Sequence, residues 1–542
     1  MQSKLSLRER IGQTIMIKAD PELHVRLCGS LEAFLEKYPV GGLFVGAEII
    51  RSVQASSIEL TEMIRRYQQA SKIPLLIAAD VESGAGGIVS DLTLLPRQMS
   101  LGATESPELA YAYGAISAAE ATAMGINWSF SPVCDLNLNP HNVIINSRAV
   151  SDHPDKALKL LIPMIKGMQE HGLAATAKHF PGDGVDHRDQ HLVTTCNSLT
   201  YEQWEANHGK VFRKLVEEGV QTVMAGHITL PAVQTRKHRG CFLPATLSEE
   251  IITGLLKERM GFQGVVVSDA LDMGGFVRVY GNCDIAEIEA FKAGIDVMLW
   301  PFLSFFDHLE AAIHHGKVGA SRLKDAVARV LQLKENVGLL NKTDAPAAAH
   351  PKEKSMKSPV DGPLLARTVA RQSITLVENK LNVLPLRKRR PLRIRMVGVT
   401  PNDELYGLTD TIREELEKRS IQVETVRNLD TYGQDYRLMD QDFDYMLYVL
   451  FYAMQKPLGT SHYYESEARS VVSALSFAQE RTIILSFGSP YYYAEYFESA
   501  DTFINCCSSD PETLKAAVAA LFGEIPFAGK SPVELYGRMD GL

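Results

Sequence analysis

The chain is poor in the features that mark several large functional classes. Its seven cysteines in 542 residues (Cys28, Cys134, Cys196, Cys241, Cys283, Cys506 and Cys507) are odd in number and scattered. None falls in a C-x-x-C pair, so neither a disulfide framework nor a zinc site is indicated. Positive charge is also short: 56 Lys and Arg stand against 65 Asp and Glu, a net charge of -9. That balance argues against a nucleic-acid or anionic-membrane partner. Long apolar runs are missing, and a stretch such as "GVVVSDAL" is far too short to cross a bilayer. The start, "MQSKLSLRERIGQTIMIKAD", lacks the apolar core and small-residue cleavage site of a secretory signal. There is no solenoid-length repeat and no phosphate-type glycine fingerprint. These absences predict a cytoplasmic protein acting on a small or neutral substrate.

What is present is a rhythm. Eight short apolar runs recur: "QTIMIK" (13–18), "GGLFVG" (41–46), "PLLIAAD" (74–80), "INWSFSP" (126–132), "LAATAKHF" (173–180), "TVMAGH" (222–227), "GVVVSD" (264–269) and "IDVMLW" (295–300). Amphipathic helical stretches such as "EEIITGLLKERMG" lie between several of them. Continuous apolar strands alternating with helices indicate parallel strands covered on both faces. Eight such units predict a (β/α)8 barrel over residues 1–342. The Ala-, Pro-, Lys- and Ser-rich stretch 343–360 reads as an exposed linker. Beyond it, "SITLVE", "RIRMVGV", "YMLYVLF", "RTIILSF" and "DTFINCC" predict a smaller layered α/β sandwich over 361–542.

Polar residues follow the N-terminal runs directly: Asp80, Asp135, Lys178, His179, His227, Asp269 and Trp300. In a barrel the carboxyl ends of the strands share one rim, where catalytic groups collect. The stretch "KHFPGDGVDHRDQH" (178–191) is the densest in chemistry, with three aspartates and three histidines in a loop broken by Gly and Pro. Asp189 and His191 could form a pair in which the carboxylate fixes the imidazole tautomer and stabilises its protonated form. A hydrogen-bonded surface loop is the plain alternative. A metal site is another, since Asp183, Asp186, His187, Asp189 and His191 have suitable ligand types, though no known ligand spacing orders them. Asp269 could be a nucleophile, a base, an acceptor for sugar hydroxyls or a helix cap, and Asp272 fits the capping role better. Arg148 reads alone as a solvated charge, Met224 as core, and His227 as a satisfied rim histidine.

Taken together, "KHFPGDG…DQH", "GVVVSDALDM", "FSPVCDLNLNPHNVIINSRAVSDHP" and "LPRQMSLGAT" resemble glycoside hydrolase family 3, in its bacterial β-N-acetylglucosaminidase branch. The likeness runs from about Leu5 to Leu340 and resumes in the second domain through "ARQSITLVENKLNVLPL", "SFGSPYYYAEYF" and "GKSPVEL". It implies that Asp269 is the nucleophile of a retaining mechanism and that His191, backed by Asp189, is the general acid/base. It implies sugar contacts from Asp80, Arg148, Lys178 and His179, with Met224 and His227 lining the same pocket, and it implies no metal and no organic cofactor. The substrate implied is terminal β-linked N-acetylglucosamine on a small glycan or muropeptide. Phosphorolysis at the same site, β-glucosidase or β-xylosidase activity, and a non-catalytic sugar-binding protein are the alternatives. Two departures stand out. Relatives commonly carry an E-G-G-R-V run where this chain has "DVESGAGGIVSDLTLLPR", with no arginine before Arg97, and Asp183 stands where many relatives have histidine. In other subgroups the second domain supplies an acid/base glutamate, for which Glu465 and Glu467 in "SHYYESEARS" are the weak counterparts.

Overall fold

The computed structural model describes residues 2–46, 56–340, 360–387, 392–400, 403–429, 442–451 and 465–539. The linker read at 343–360 lies outside them, apart from Val360. Each of the eight N-terminal runs contains a strand: β1 (Ile15–Lys18), β2 (Gly42–Phe44), β3 (Leu76–Ala79), β4 (Trp128–Ser129), β5 (Thr176–Phe180), β6 (Thr222–Ala225), β7 (Val265–Ser268) and β8 (Met298–Leu299). Parallel ladders join them in the order β8-β1-β2-β3-β4 and, separately, β7-β6-β5. Isolated parallel bridges, Trp128 to Ala174 and Val267 to Val297, link the ends of the two sheets, so pairing runs around a ring.

Burial follows the pleat. Ile15, Ile17, Leu75, Ile77, Ala79, Val223 and Ala225 pack outward in one cluster with the surrounding helices. Met16, Leu76, Ala78, Met224, Val265 and Val267 pack inward in another. Both faces of each strand are therefore buried, which is why the runs read as continuously apolar rather than alternating. Val330 and Leu333, near the end of helix Ala320–Asn336, join the inward cluster.

The C-terminal part forms a six-stranded sheet: β9 (Thr375–Asn379), β10 (Arg393–Val399), β11 (Gln422–Arg427), β12 (Tyr445–Phe451), β13 (Thr482–Phe487) and β14 (Thr502–Asn505). Its order is β9-β14-β13-β12-β10-β11, parallel except where β9 meets β14. Apolar clusters cover both faces, giving the layered arrangement. Strand β11 is absent from the sequence expectation for a physical reason. It is an edge strand, "QVETVR", none of whose residues is fully buried, so it carries no apolar run.

The two parts touch near the pocket described below. Tyr491, just after β13, has its hydroxyl 2.9 Å from Asn137 Nδ2, and Asn146 Nδ2 lies 3.3 Å from Ser489 Oγ. Among the described residues, no helix is long and apolar enough to cross a membrane.

Candidate active site

A pocket with about 550 Å3 of empty volume, its open mouth included, lies at the carboxyl ends of the ring strands. Strand direction explains its composition. Asp80 follows β3, Lys178 and His179 lie in β5, Met224 in β6, Asp269 follows β7 and Trp300 follows β8, and all of them line it. The ladder between β5 and β6 shifts register between Ala177 and Phe180, so the adjacent Lys178 and His179 escape the usual alternation and both face the pocket.

One wall is a compensated charge cluster. Lys178 Nζ donates to Asp80 Oδ1 at 2.8 Å and reaches Glu82 Oε1 at 2.7 Å. Arg148 grips the same glutamate with both arms of its fork, Nη2 to Oε1 at 2.7 Å and Nε to Oε2 at 3.0 Å. Burial opposes ionisation of Glu82, but the two cations outweigh it and hold the carboxyl well below the usual range. Burial likewise opposes the Lys178 charge, and Asp80 with Glu82 outweighs it, raising the ammonium's pKa. Paired cations beside carboxylates offer both donors and acceptors, the complement that sugar hydroxyls need.

Two Asp–His pairs flank Asp269. His179 Nδ1 lies 2.7 Å from Asp135 Oδ2, and the backbone N–H groups of His179 and Asp183 also donate to that carboxylate. His191 Nδ1 lies 2.7 Å from Asp189 Oδ1, which also accepts the His191 N–H. In each pair the carboxylate accepts a hydrogen bond from Nδ1–H, fixing the tautomer and leaving Nε2 as the working nitrogen. The environments differ: the His179 side chain is 5% exposed and that of His191 23%. Burial pushes the Asp269 carboxyl up, but His179, His227, the Ala270 N–H and His191 outweigh it, leaving the group below the usual range and ionised.

Of the residues singled out from the sequence, Asp80, Arg148, Lys178, His179, His191, Met224 and Asp269 line the pocket together. Asp189 stands behind His191. His227 is displaced from its expected place in the lining. It is fully buried, with Nδ1 3.0 Å from Thr246 Oγ1 and Nε2 2.9 Å from the Ala270 carbonyl oxygen. Both ring nitrogens are engaged, so it braces the Asp269 turn instead of facing a ligand. Asp272 caps no helix; it pairs with Lys18 at 3.2 Å. Arg97 turns to Ser147 Oγ and lies outside the lining, so Arg148 is the pocket's guanidinium among the described residues. Glu467 is buried against Asn428 and Ser466, and the side chain of Glu465 lies outside the described residues. Asp186 is held by Arg188, and no group of three or more His, Cys, Asp or Glu among the described residues could hold a metal ion.

Sequence reasoning left Phe44, Phe130, Ile144, Gln190 and the role of Glu82 unassigned, although all line the pocket. The available signal was position: Phe44 ends β2, and Glu82 follows Asp80 by two residues.

Comparison with known proteins identifies the family of the chain. The model of the glycosyl hydrolase family 3 N terminal domain matches residues 6–333. A β-N-acetylglucosaminidase/β-glucosidase from Cellulomonas fimi is 32% identical over 519 residues, covering 93% of this chain and 91% of the relative. A β-hexosaminidase A from Pseudoalteromonas piscicida is 32% identical over 330 residues, 56% of this chain and 54% of the relative. Among solved structures, the β-glucoside phosphorylase BglX bound to 2FGlc aligns with a TM-score of 0.87 at 28% identity, covering 100% of this chain and 96% of that one. A family 3 β-N-acetylglucosaminidase from Paenibacillus sp. str. FPU-7 aligns with a TM-score of 0.82 at 25% identity, covering 98% and 99%. The chain belongs to glycosyl hydrolase family 3 and is a glycoside hydrolase.

Proposed function

We propose that the protein is a retaining exo-glycosidase that hydrolyses terminal β-linked N-acetylglucosamine, with its site at the mouth of a closed (β/α)8 barrel. The observation that carries this reading is the convergence of an ionised Asp269 and the Asp189-backed His191 on one pocket. Names of the similar proteins above, hexosaminidases and N-acetylglucosaminidases among them, support the sugar.

Retaining glycosidases usually place two carboxyl groups about 5 Å apart, one as nucleophile and one as acid/base. Here Asp269 would attack the anomeric carbon while protonated His191 gives its Nε2 proton to the leaving oxygen, forming a glycosyl ester on Asp269. Neutral His191 would then take a proton from water as that water attacks the ester and frees the sugar and the aspartate. Arg148, Lys178, Asp80 and His179 would hold the sugar hydroxyls. A second reading replaces water with phosphate. It is favoured by the likeness to a phosphorylase and by chemistry, since a neutral imidazole repels phosphate less than a carboxylate does.

The test is turnover of a p-nitrophenyl β-N-acetylglucosaminide, with and without phosphate and with the β-glucoside and β-xyloside as comparators. Free N-acetylglucosamine is the expected product; sugar 1-phosphate would support the phosphorylase reading instead. Asp269→Ala should remove turnover without unfolding the chain, and retained activity would exclude it as nucleophile. His191→Ala should impair substrates with poor leaving groups far more than activated aryl glycosides.

A further inference from the structure

The loop that carries His191 is anchored by a hydrogen-bond chain whose polarity is fixed at both ends. Gln190 sits between the two members of the Asp189–His191 pair, is buried, and itself lines the pocket. Its Oε1 accepts from the His227 backbone N–H at 3.1 Å. An N–H can only donate, so the other end of the amide, Nε2, must find an acceptor. That acceptor is Asp183 Oδ2 at 3.1 Å. The other carboxylate oxygen of Asp183 accepts from the Gly184 N–H at 2.6 Å and from Asn142 Nδ2 at 2.9 Å. Among the described residues, every hydrogen-bond partner of this carboxylate is a donor, one of them again a backbone group that cannot reverse.

The anchoring carboxylate is itself fixed. Asp183 is 2% exposed, and its own N–H donates to Asp135 Oδ1 at 2.7 Å, the carboxylate that orients His179. Its flanking glycines, Gly182 and Gly184, have φ of +120° and +94°, where a Cβ would meet the His208 ring or the Leu136 carbonyl oxygen. Burial and the Asp135 charge push the Asp183 carboxyl up to about 7 against the pull of the Gly184 N–H and Asn142, the donors that favour its ionised form.

We propose that Asp183 is a positioning residue that acts through Gln190 to hold His191 where it can protonate the leaving group. The inference rests on the reading of His191 as the proton donor. It gives a role to the position where the chain departs from the resemblance noted in its sequence.

The fixed polarity provides the test. In Asp183→Asn, the Gly184 N–H keeps the amide oxygen on its own side and turns the new NH2 toward the Gln190 NH2, donor against donor. Adding Gln190→Glu puts an acceptor opposite that NH2 and another opposite the His227 N–H. The bond is restored with its direction reversed and the net charge unchanged. Wild type, D183N, Q190E and D183N/Q190E are compared on 2,4-dinitrophenyl β-N-acetylglucosaminide, which needs no proton donor, and on N,N′-diacetylchitobiose, which does, with thermal unfolding measured alongside. D183N should lose about tenfold or more in kcat/KM on chitobiose, the scale of one orphaned buried donor, with little change on the activated substrate. The double variant should recover most of that loss. Equal losses on both substrates, no loss, or a double variant no better than either single one would overturn the inference, and the double variant keeps this decisive if D183N folds poorly. A wild type that hydrolyses both substrates while the pattern fails sinks the inference alone; a wild type that hydrolyses neither sinks the glycosidase reading and the inference with it.

Discussion

Lys178 and Lys334 are both buried, 2% and 0% exposed, at opposite ends of the same ring of strands, and burial affects them in opposite ways. At the pocket, Lys178 meets two carboxylates and its pKa rises. At the far end, Lys334 reaches a neutral partner, Gln13 Oε1, at 2.6 Å, and burial alone pushes it down to about 7. The same side chain is thus held charged where its neighbours supply opposite charge, and is driven toward neutrality where they supply an amide. The charges of the pocket are compensated in advance of any ligand; the lysine at the foot opposes stability.

The comparison can be broken most forcefully from the pocket side. Lys178→Met leaves Asp80 and Glu82 without their shared cation, and kcat/KM should fall about a thousandfold, in keeping with the cost of breaking a buried ion pair. Near-normal kinetics would show that the cluster is ornamental. Lys334→Met should act in the opposite sense, stabilising the fold by about 2 kcal/mol at pH 7 after allowing for the orphaned Gln13 oxygen. Because the folded value of Lys334 lies below its unfolded one, near 10.5, stability is full above the unfolded value and is lost as pH falls toward about 7. The advantage of the variant in urea melts should therefore be greatest at neutral pH and close toward pH 10, with activity unchanged.

A milder change sharpens the pocket side. Glu82→Gln keeps an acceptor for Arg148 but removes the charge between the two cations, and KM should rise about tenfold with a smaller change in kcat. Glu287 gives the smallest effect and the opposite pH slope. It is 1% exposed, accepts the Phe302 N–H, and is pushed up to about 7 by burial, with Asp284 adding to the push. A raised acid contributes stability below its unfolded value that is lost as pH rises through its folded one. Glu287→Gln should thus stabilise by about 1 kcal/mol at pH 8 and by little at pH 5. Parallel pH trends for the Lys334 and Glu287 variants would refute the account of both.

The amino-acid sequence by itself determined the eight strand runs, because burial on both faces makes a parallel strand apolar at every position, a local signal that needs no partner. It determined the Asp189–His191 pair for a similar reason: a single residue, Gln190, separates its members, so the loop alone brings them together. Only the tertiary structure decided the rest. Asp135 and His179 are 44 residues apart, Glu82 and Arg148 66, and Asp80 and Lys178 98, yet each pair meets within 3 Å. Nothing in the local sequence distinguishes such carboxylates from solvated ones. The same is true of His227, whose place behind the pocket wall depends on Thr246 and the Ala270 carbonyl, and of β11, which is a strand because β10 lies beside it. A hydrogen bond is decided by fractions of an ångström between groups that the chain brings together only when the ring of strands is complete, and that distance is a property of the packing.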